Sequence, residues 1–305
     1  MEYSLIQGNC LDSLREMDEN SIDNCITDPP YGMGMEHWDH AVPTTEIWEE
    51  VLRVLKPGGF CLSFCSPQLY HRMATAVEDA GFDIKDQIMW MITTKMPKKN
   101  RLKPAHEPIV VAQKPFKGSI KANFEEWGVG QIDTDSTRIP WDGKPPTGWV
   151  KGGLQRRSFG KDGKHARVTV VETKKEGWVE MSSGEIIEFG KEDANPAGRY
   201  PSNIVGEVQP EHQKYFYAPR VTRKERGEYN DHPTPKPISL MTYLIKIYCP
   251  PGTTVLDPFC GSASTGLAAL QTGRVFIGIE LEEEYIKISH RRIKDHCGDL
   301  QKEES

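Results

Sequence analysis

No run of apolar residues in this chain approaches the roughly 20 that a membrane-spanning helix needs, so none is expected. The start, Met1-Glu2-Tyr3-Ser4-Leu5, has neither a basic stretch nor an apolar core, and no secretory leader is expected. Cysteine is sparse: seven residues, an odd number at scattered spacings, with Cys61 and Cys65 the nearest pair. No second pair completes a zinc site, so the thiols are expected to be reduced, in a cytoplasmic protein without a structural metal. Internal repeats are missing as well. Positive charge is in deficit, with 38 Lys+Arg against 44 Asp+Glu and a net of −6 over 305 residues. Taken whole, that balance argues against a nucleic-acid binder.

The average hides an asymmetry. Residues 94–236 hold 26 Lys+Arg against 19 Asp+Glu, and the remainder holds 12 against 25. Lys95, Lys98, Lys99, Arg101 and Lys103 occur without one acidic neighbour. Lys151, Arg156, Arg157, Lys161, Lys164 and Arg167 are accompanied only by Asp162. These windows would attract a polyanion that the flanks repel. A solvated basic loop explains the same charges equally well, so charge alone leaves both readings open.

The two ends of the chain alternate between strand and helix patterns. Strands are predicted at Tyr3–Gln7, Ile22–Thr27, Phe60–Phe64, Gln87–Ile92, Pro108–Ala112, Thr253–Leu256 and Val275–Ile279. Apolar stripes at helical spacing run through Ile47–Leu55, Leu69–Ala80, Met241–Tyr248, Thr265–Leu270 and Tyr285–Ile293. Lys56-Pro57-Gly58-Gly59 stops the first of these, and Pro237 opens the third. The pattern implies an α/β fold with a mostly parallel sheet covered by helices on both faces. Between them, about 116–231 is rich in Gly, Pro and Trp and lacks a sustained period; Val168–Val171 and Ile186–Phe189 resemble strands. A long irregular insertion in an α/β domain is usually functional. The expected organisation is therefore 1–115 and 232–305 as two halves of one domain, with 116–231 inserted between them.

Three places carry chemistry. Asp28-Pro29-Pro30-Tyr31 follows a buried strand directly. Proline has no N–H, so this stiff turn presents a carboxylate, unpaired carbonyls and an aromatic at a strand tip, where open α/β sheets bind ligands. An Asp-capped proline turn is the plainer reading of that tetrapeptide alone. The second place is Asp257-Pro258-Phe259-Cys260-Gly261-Ser262-Ala263, a small-residue loop running from strand into helix. Glu280 lies 23 residues after Asp257, close to the roughly 20-residue offset at which an acid meets ribose hydroxyls. No G-x-G-x-x-G is present, which favours a ribose-bearing cofactor without a pyrophosphate over a dinucleotide; an ordinary turn before an acidic helix start also fits. The third place, His232-Pro233-Thr234-Pro235-Lys236-Pro237, is by itself a rigid linker as readily as a ligand contact.

Taken together, the three segments resemble the S-adenosylmethionine-dependent amino-DNA methyltransferases, in the order where the catalytic tetrapeptide precedes the cofactor loop. The resemblance spans about 1–115 and 195–296 and includes Trp48 to Gly59 and His106-Glu107-Pro108-Ile109-Val110-Val111. It implies a Rossmann-like methyltransferase fold with an inserted target-recognition region. It also implies catalysis by Asp28, Pro29, Pro30 and Tyr31 on an exocyclic amine, with Tyr31 stacking on the base. Cofactor contacts would come from Asn9, Thr234, Lys236, Asp257, Phe259, Gly261, Ser262, Ala263 and Glu280. A base held in a duplex must be flipped out to reach such a site. Lys95, Lys98, Lys99, Arg101, Arg156, Arg157, Lys161 and Lys164 would then hold the phosphates of double-stranded DNA. The sequence departs from the family at Ala263, where a second glycine is usual, and at Asn9, where Asp is frequent and its acceptance from the cofactor adenine would be charged. Asp at the tetrapeptide's first position is associated in the family mostly with adenine N6, and Ser with cytosine N4. Cys10, Cys25 and Cys260 are read as packing residues. RNA or protein-glutamine methylation and a non-catalytic DNA-binding module are the rival readings, and a homodimer is a candidate assembly.

Overall fold

The computed structural model describes residues 2–34, 39–92, 102, 105–141, 147–149, 178–180, 186–188, 191–193, 197–206, 217 and 235–303. Most of them form one unit, built from 2–137 and 201–303; a second unit covers 138–200.

In the first unit the chain runs through β1 (Tyr3–Gln7), α1 (Cys10–Arg15), β2 (Asn24–Thr27), α2 (Thr45–Val54), β3 (Phe60–Phe64) and α3 (Tyr70–Asp79). Then follow β4 (Asp83–Met91), β5 (His106–Gln113) and α4 (Ile120–Trp127). The second unit contributes β6 (Thr147–Trp149), β7 (Trp178–Glu180), β8 (Ile186–Glu188) and β9 (Lys191–Asp193), as two antiparallel pairs, β6 with β9 and β7 with β8. The first unit resumes with β10 (Ile204–Gly206), α5 (Ile238–Tyr248), β11 (Thr254–Asp257), α6 (Ser264–Gln271), β12 (Val275–Glu280) and α7 (Glu283–Glu303).

Eight of these strands form one sheet in the order β1-β12-β11-β2-β3-β5-β4-β10. All neighbours are parallel except β5, which is antiparallel to both β3 and β4. The α/β, mostly parallel sheet expected from the sequence is therefore present. Strands β2 and β3 are buried along their whole length, as strands covered on both faces must be. Their alternation divides two cores. Ile26, Leu62 and Phe64 face a core with Leu240, Met241 and Leu244 of α5. Cys25 and Cys61 face the opposite core, with Trp48 and Val51 of α2 and Met73 and Val77 of α3. Cys10, Cys25, Cys61, Cys65, Cys249 and Cys260 are free and buried, and burial pushes the Cys10 thiol up to about 11 and those of Cys25 and Cys260 well above their ordinary value.

Helix α4 and strand β10 fall inside the 116–231 stretch expected as an insertion, yet they belong to the unit that holds the sheet. Ser119 caps α4 by accepting from Ala122 N at 3.2 Å, and Gly128 closes it in a left-handed turn at φ 72°. Its apolar Ile120 and Phe124 face outward, while the buried position is Asn123, whose amide donates to the carbonyls of Pro57 and Val129. A periodicity reading has no apolar stripe to find there. Among the described residues, no helix is long and apolar enough to cross a membrane, and no metal-ligating cluster is found.

Candidate active site

The parallel neighbours β1, β12, β11 and β2 deliver four C-terminal tips to one edge of the sheet. Those tips carry Gly8-Asn9, Glu280, the loop after Asp257, and Asp28 to Tyr31. Because β5 runs the other way, its first residues, His106 and Glu107, arrive at the same edge beside the end of β3. Two buried hydroxyl bonds tie the central tips together: Asp257 Oδ1 accepts from Thr27 Oγ1 at 2.7 Å, and Asp257 Oδ2 accepts from Thr265 Oγ1 at 2.6 Å. Phe259 N also donates to Asp257 Oδ1, at 3.1 Å. Asp257 is 2% exposed, so its carboxylate braces the loop from within. Burial raises its pKa to about 6, against the lowering by Thr265, Thr27 and the Phe259 amide.

Beside this brace lies the tetrapeptide. Pro29 is buried, and Asp28, Pro30 and Tyr31 are partly buried. The buried Asp39 carboxylate secures the turn that follows, accepting from Gly32 N at 2.7 Å and Met33 N at 3.1 Å. Both Asp28 oxygens already have a donor: Oδ1 accepts from Tyr31 Oη at 2.6 Å, and Oδ2 from the Lys236 ammonium. Glu107 Oε2 lies 3.8 Å from that ammonium and 3.4 Å from Tyr31 Oη. The Lys236 nitrogen sits 5.2 Å above the Phe64 ring and 5.5 Å above Tyr31. Burial raises the Asp28 pKa; Lys236 opposes that rise and Glu107 adds to it. Burial and the neighbouring carboxylates push Tyr31 well above its ordinary value, so its hydroxyl remains a donor.

At the cofactor loop, Gly261 takes φ 51° and donates its N–H to Glu280 Oε2 at 2.8 Å. Glu280 Oε1 accepts from Glu282 N at 3.0 Å. Each oxygen keeps a lone pair, and burial raises the carboxyl pKa. From behind, Ser289 Oγ donates to Gly261 O at 2.8 Å, and the Arg292 guanidinium donates to the carbonyl and hydroxyl of Ser262. Ser262 and Ala263 are buried, leaving backbone as what they can offer a ligand. Ala263 is left-handed at φ 58°, a conformation that costs a residue with a Cβ about 1–2 kcal/mol and explains why glycine suits the position. Phe259 is partly buried against the core beneath. Asn9 is exposed, and its Oδ1 caps α1 by accepting from Leu11 N at 2.9 Å. A half-buried acid at a strand tip, a glycine turn and an exposed amide on the next strand suit a cofactor with ribose hydroxyls and an adenine amine.

The structure thus brings together Asp28, Tyr31, Asp257, Gly261 and Glu280. Lys236, expected beside the cofactor, lies on Asp28. Thr234 and the expected DNA contacts Lys95, Lys98, Lys99, Arg101, Arg156, Arg157, Lys161 and Lys164 lie outside the described residues. Sequence reasoning gave no role to Glu107, Thr27, Thr265, Ser289 or Arg292. Only Glu107 left a signal, as a carboxylate leading an otherwise apolar strand.

Comparison with known proteins places the chain among DNA methyltransferases. DNA adenine methyltransferase YhdJ of Escherichia coli K12 is 26% identical over 302 residues, which cover 95% of this chain and 82% of that protein. The type II methyltransferase M.HpaI of Haemophilus parainfluenzae is 25% identical, over 96% and 74%. The crystal structure of the M1.HpyAVI–SAM complex shares the fold, with a TM-score of 0.52 at 21% identity over 95% of this chain and 99% of that one. The cytosine-N4-specific PvuII DNA methyltransferase does so with 0.56 at 18%, over 96% and 86%. The sequence pattern of the N6/N4 DNA methylases matches residues 22–291, and the chain belongs to that family of S-adenosylmethionine-dependent DNA methyltransferases.

Proposed function

We propose that this protein methylates the N6 amino group of adenine, flipped out of double-stranded DNA, with S-adenosylmethionine as donor. The observation that carries this reading is the Thr27–Asp257 bond, which joins the strand ending in Asp28 to the strand that begins the cofactor loop. The donor would be held by the Gly261 turn and by Glu280, whose remaining lone pairs suit ribose hydroxyls, with Asn9 accepting from its adenine amine. When bound, it supplies a methyl group on a sulfonium, open to in-line displacement.

The chain's own residues then deal with a poor nucleophile. An exocyclic amine shares its lone pair with the base ring. Asp28 and the Pro29 carbonyl would accept its two hydrogens and draw the nitrogen towards tetrahedral geometry, freeing the lone pair. Positive charge growing on that nitrogen would be stabilised by the partly buried Asp28 carboxylate, and such electrostatic stabilisation usually lowers the barrier more than any other effect. Holding the reactants in line contributes much of the rest. Tyr31 would stack on the base while its hydroxyl holds Asp28. The region 116–231 would read the target, with the basic windows on phosphates. In the second unit Arg138 lies 4.0 Å over the Tyr200 ring and Arg199 4.1 Å over Trp141, pairings whose members also stack on bases.

The test is incubation with labelled donor and duplex DNA, RNA or protein, followed by mass spectrometry of the nucleosides. N6-methyldeoxyadenosine is expected, and none with Asp28→Ala. N4-methyldeoxycytidine in its place would reassign the base; label confined to RNA or protein would overturn the DNA reading.

A further inference from the structure

The tetrapeptide aspartate does not stand alone. Lys236, just ahead of α5, has a side chain 8% exposed, and Glu107, at the start of β5, one 12% exposed. With Asp28 they place two carboxylates and one ammonium in a nearly closed space. We propose that Lys236 is a positioning residue for methyl transfer, holding Asp28 ionised and oriented, with Glu107 anchoring the lysine; this rests on the amine-methylation reading above.

The geometry gives the reasons. Tyr31 and Lys236 each take one Asp28 oxygen, so the carboxylate cannot rotate and its remaining lone pairs are fixed. Burial alone would favour the neutral acid, which could donate to an amine but not neutralise its growing charge. The ammonium counters that tendency. Its own charge is secure: burial pulls its pKa down, but Asp28 and Glu107 outweigh that and raise it. The rings of Phe64 and Tyr31 also lie within cation–π distance of the ammonium. Counting Asp28 and Glu107 ionised and Lys236 protonated, the cluster carries one net negative charge, which the cation forming on the target nitrogen would cancel. Among the described residues, the titratable groups around Asp28 are Tyr31 on its own turn, Cys65 after β3, Glu107 on β5, Lys236 before α5 and Asp257 on β11. Cys65 is pushed up to about 12 by burial and by Asp28 and Glu107, so it stays neutral.

The two partners act on Asp28 with opposite sign, and that gives the test. In protein carrying 13Cγ-labelled aspartate, the Asp28 resonance is assigned by its loss in Asp28→Asn and titrated in Lys236→Met, Lys236→Arg and Glu107→Gln. The Asp28 midpoint should rise by about one pH unit or more in Lys236→Met, stay near the original in Lys236→Arg, and fall in Glu107→Gln. The acid limb of kcat/KM should move the same way, while the cofactor Kd in Lys236→Met stays within about twofold. Midpoints that do not move, or that move together, overturn the proposal. So does a Lys236→Met protein whose cofactor binding collapses while the Asp28 titration is unchanged. If Lys236→Met does not fold, the downward shift in Glu107→Gln decides. Unaltered protein that methylates no DNA, with the opposed titrations intact, would refute the DNA reading and leave the charge arrangement standing.

Discussion

Replacing Asp257 by asparagine removes one ionisable proton from the centre of the site while keeping the side chain's shape. The amide oxygen can still accept from Thr27 and from the Phe259 N–H, and the amide nitrogen can donate to Thr265 Oγ1, so the brace survives in neutral form. What changes is the dependence of stability on pH. The folded carboxyl titrates near 6, against an ordinary 3.8. Between those values the folded protein keeps a proton that the unfolded chain has released, so stability from this group is fully present below the ordinary pKa and lost as pH rises through about 6. The full difference is about 3 kcal/mol, of which roughly 1.4 kcal/mol is gained between pH 7.5 and pH 5. Urea unfolding at those two pH values, for both proteins, reads it directly. The original protein should gain on Asp257→Asn by about that amount at the lower pH. A difference that is flat, or that grows as pH rises, would refute the reasoning and show that the three hydrogen bonds outweigh burial.

Three further outcomes are expected. Ala263→Gly should relieve the left-handed strain, offset in part by a more flexible unfolded chain, and raise stability by about 0.5–1 kcal/mol in thermal unfolding. Glu280→Ala removes the acceptor for the Gly261 N–H together with the acceptor proposed for the ribose hydroxyls, so cofactor Kd by calorimetry should weaken by about tenfold to a hundredfold. Charge reversal of Arg156 and Arg157 to Glu should weaken DNA binding and flatten its salt dependence, with cofactor affinity intact. Loss of cofactor affinity in that variant would contradict the assignment of the basic window.

Much of the scaffold was legible because buried parallel strands write continuous apolar runs. Phe60–Phe64, buried throughout, was bounded to the residue, as was the largely exposed edge strand Tyr3–Gln7, and α2 and α3 to within one or two. The sense of a strand is not written that way: the run at 108–112 reads equally well in either direction, and only pairing with Phe60–Phe64 makes β5 antiparallel. The site was legible as separate motifs, since proline stiffness and small-residue loops are local properties. Its wiring was not. Thr27 meets Asp257 and Lys236 meets Asp28 across separations of 230 and 208 residues, and no local pattern announces such pairs. Arg292 was hidden for the same reason, as one cation on a helix whose target is a carbonyl in another loop.

The reversed strand β5 has one more consequence. Strand β4 leaves the sheet at Met91, and β5 re-enters it opposite, at His106, with Ile92 N donating to Ala105 O at 2.8 Å to close the ladder. Both stems of the connection bearing Lys95, Lys98, Lys99, Arg101 and Lys103 are thereby tethered at the mouth where Asp28 sits. In the proposed role of those cations as phosphate contacts, DNA would be held by a connection whose two ends are fixed at the sheet edge that carries Asp28, so a change in the length of this connection is expected to alter delivery of the base before it alters the chemistry.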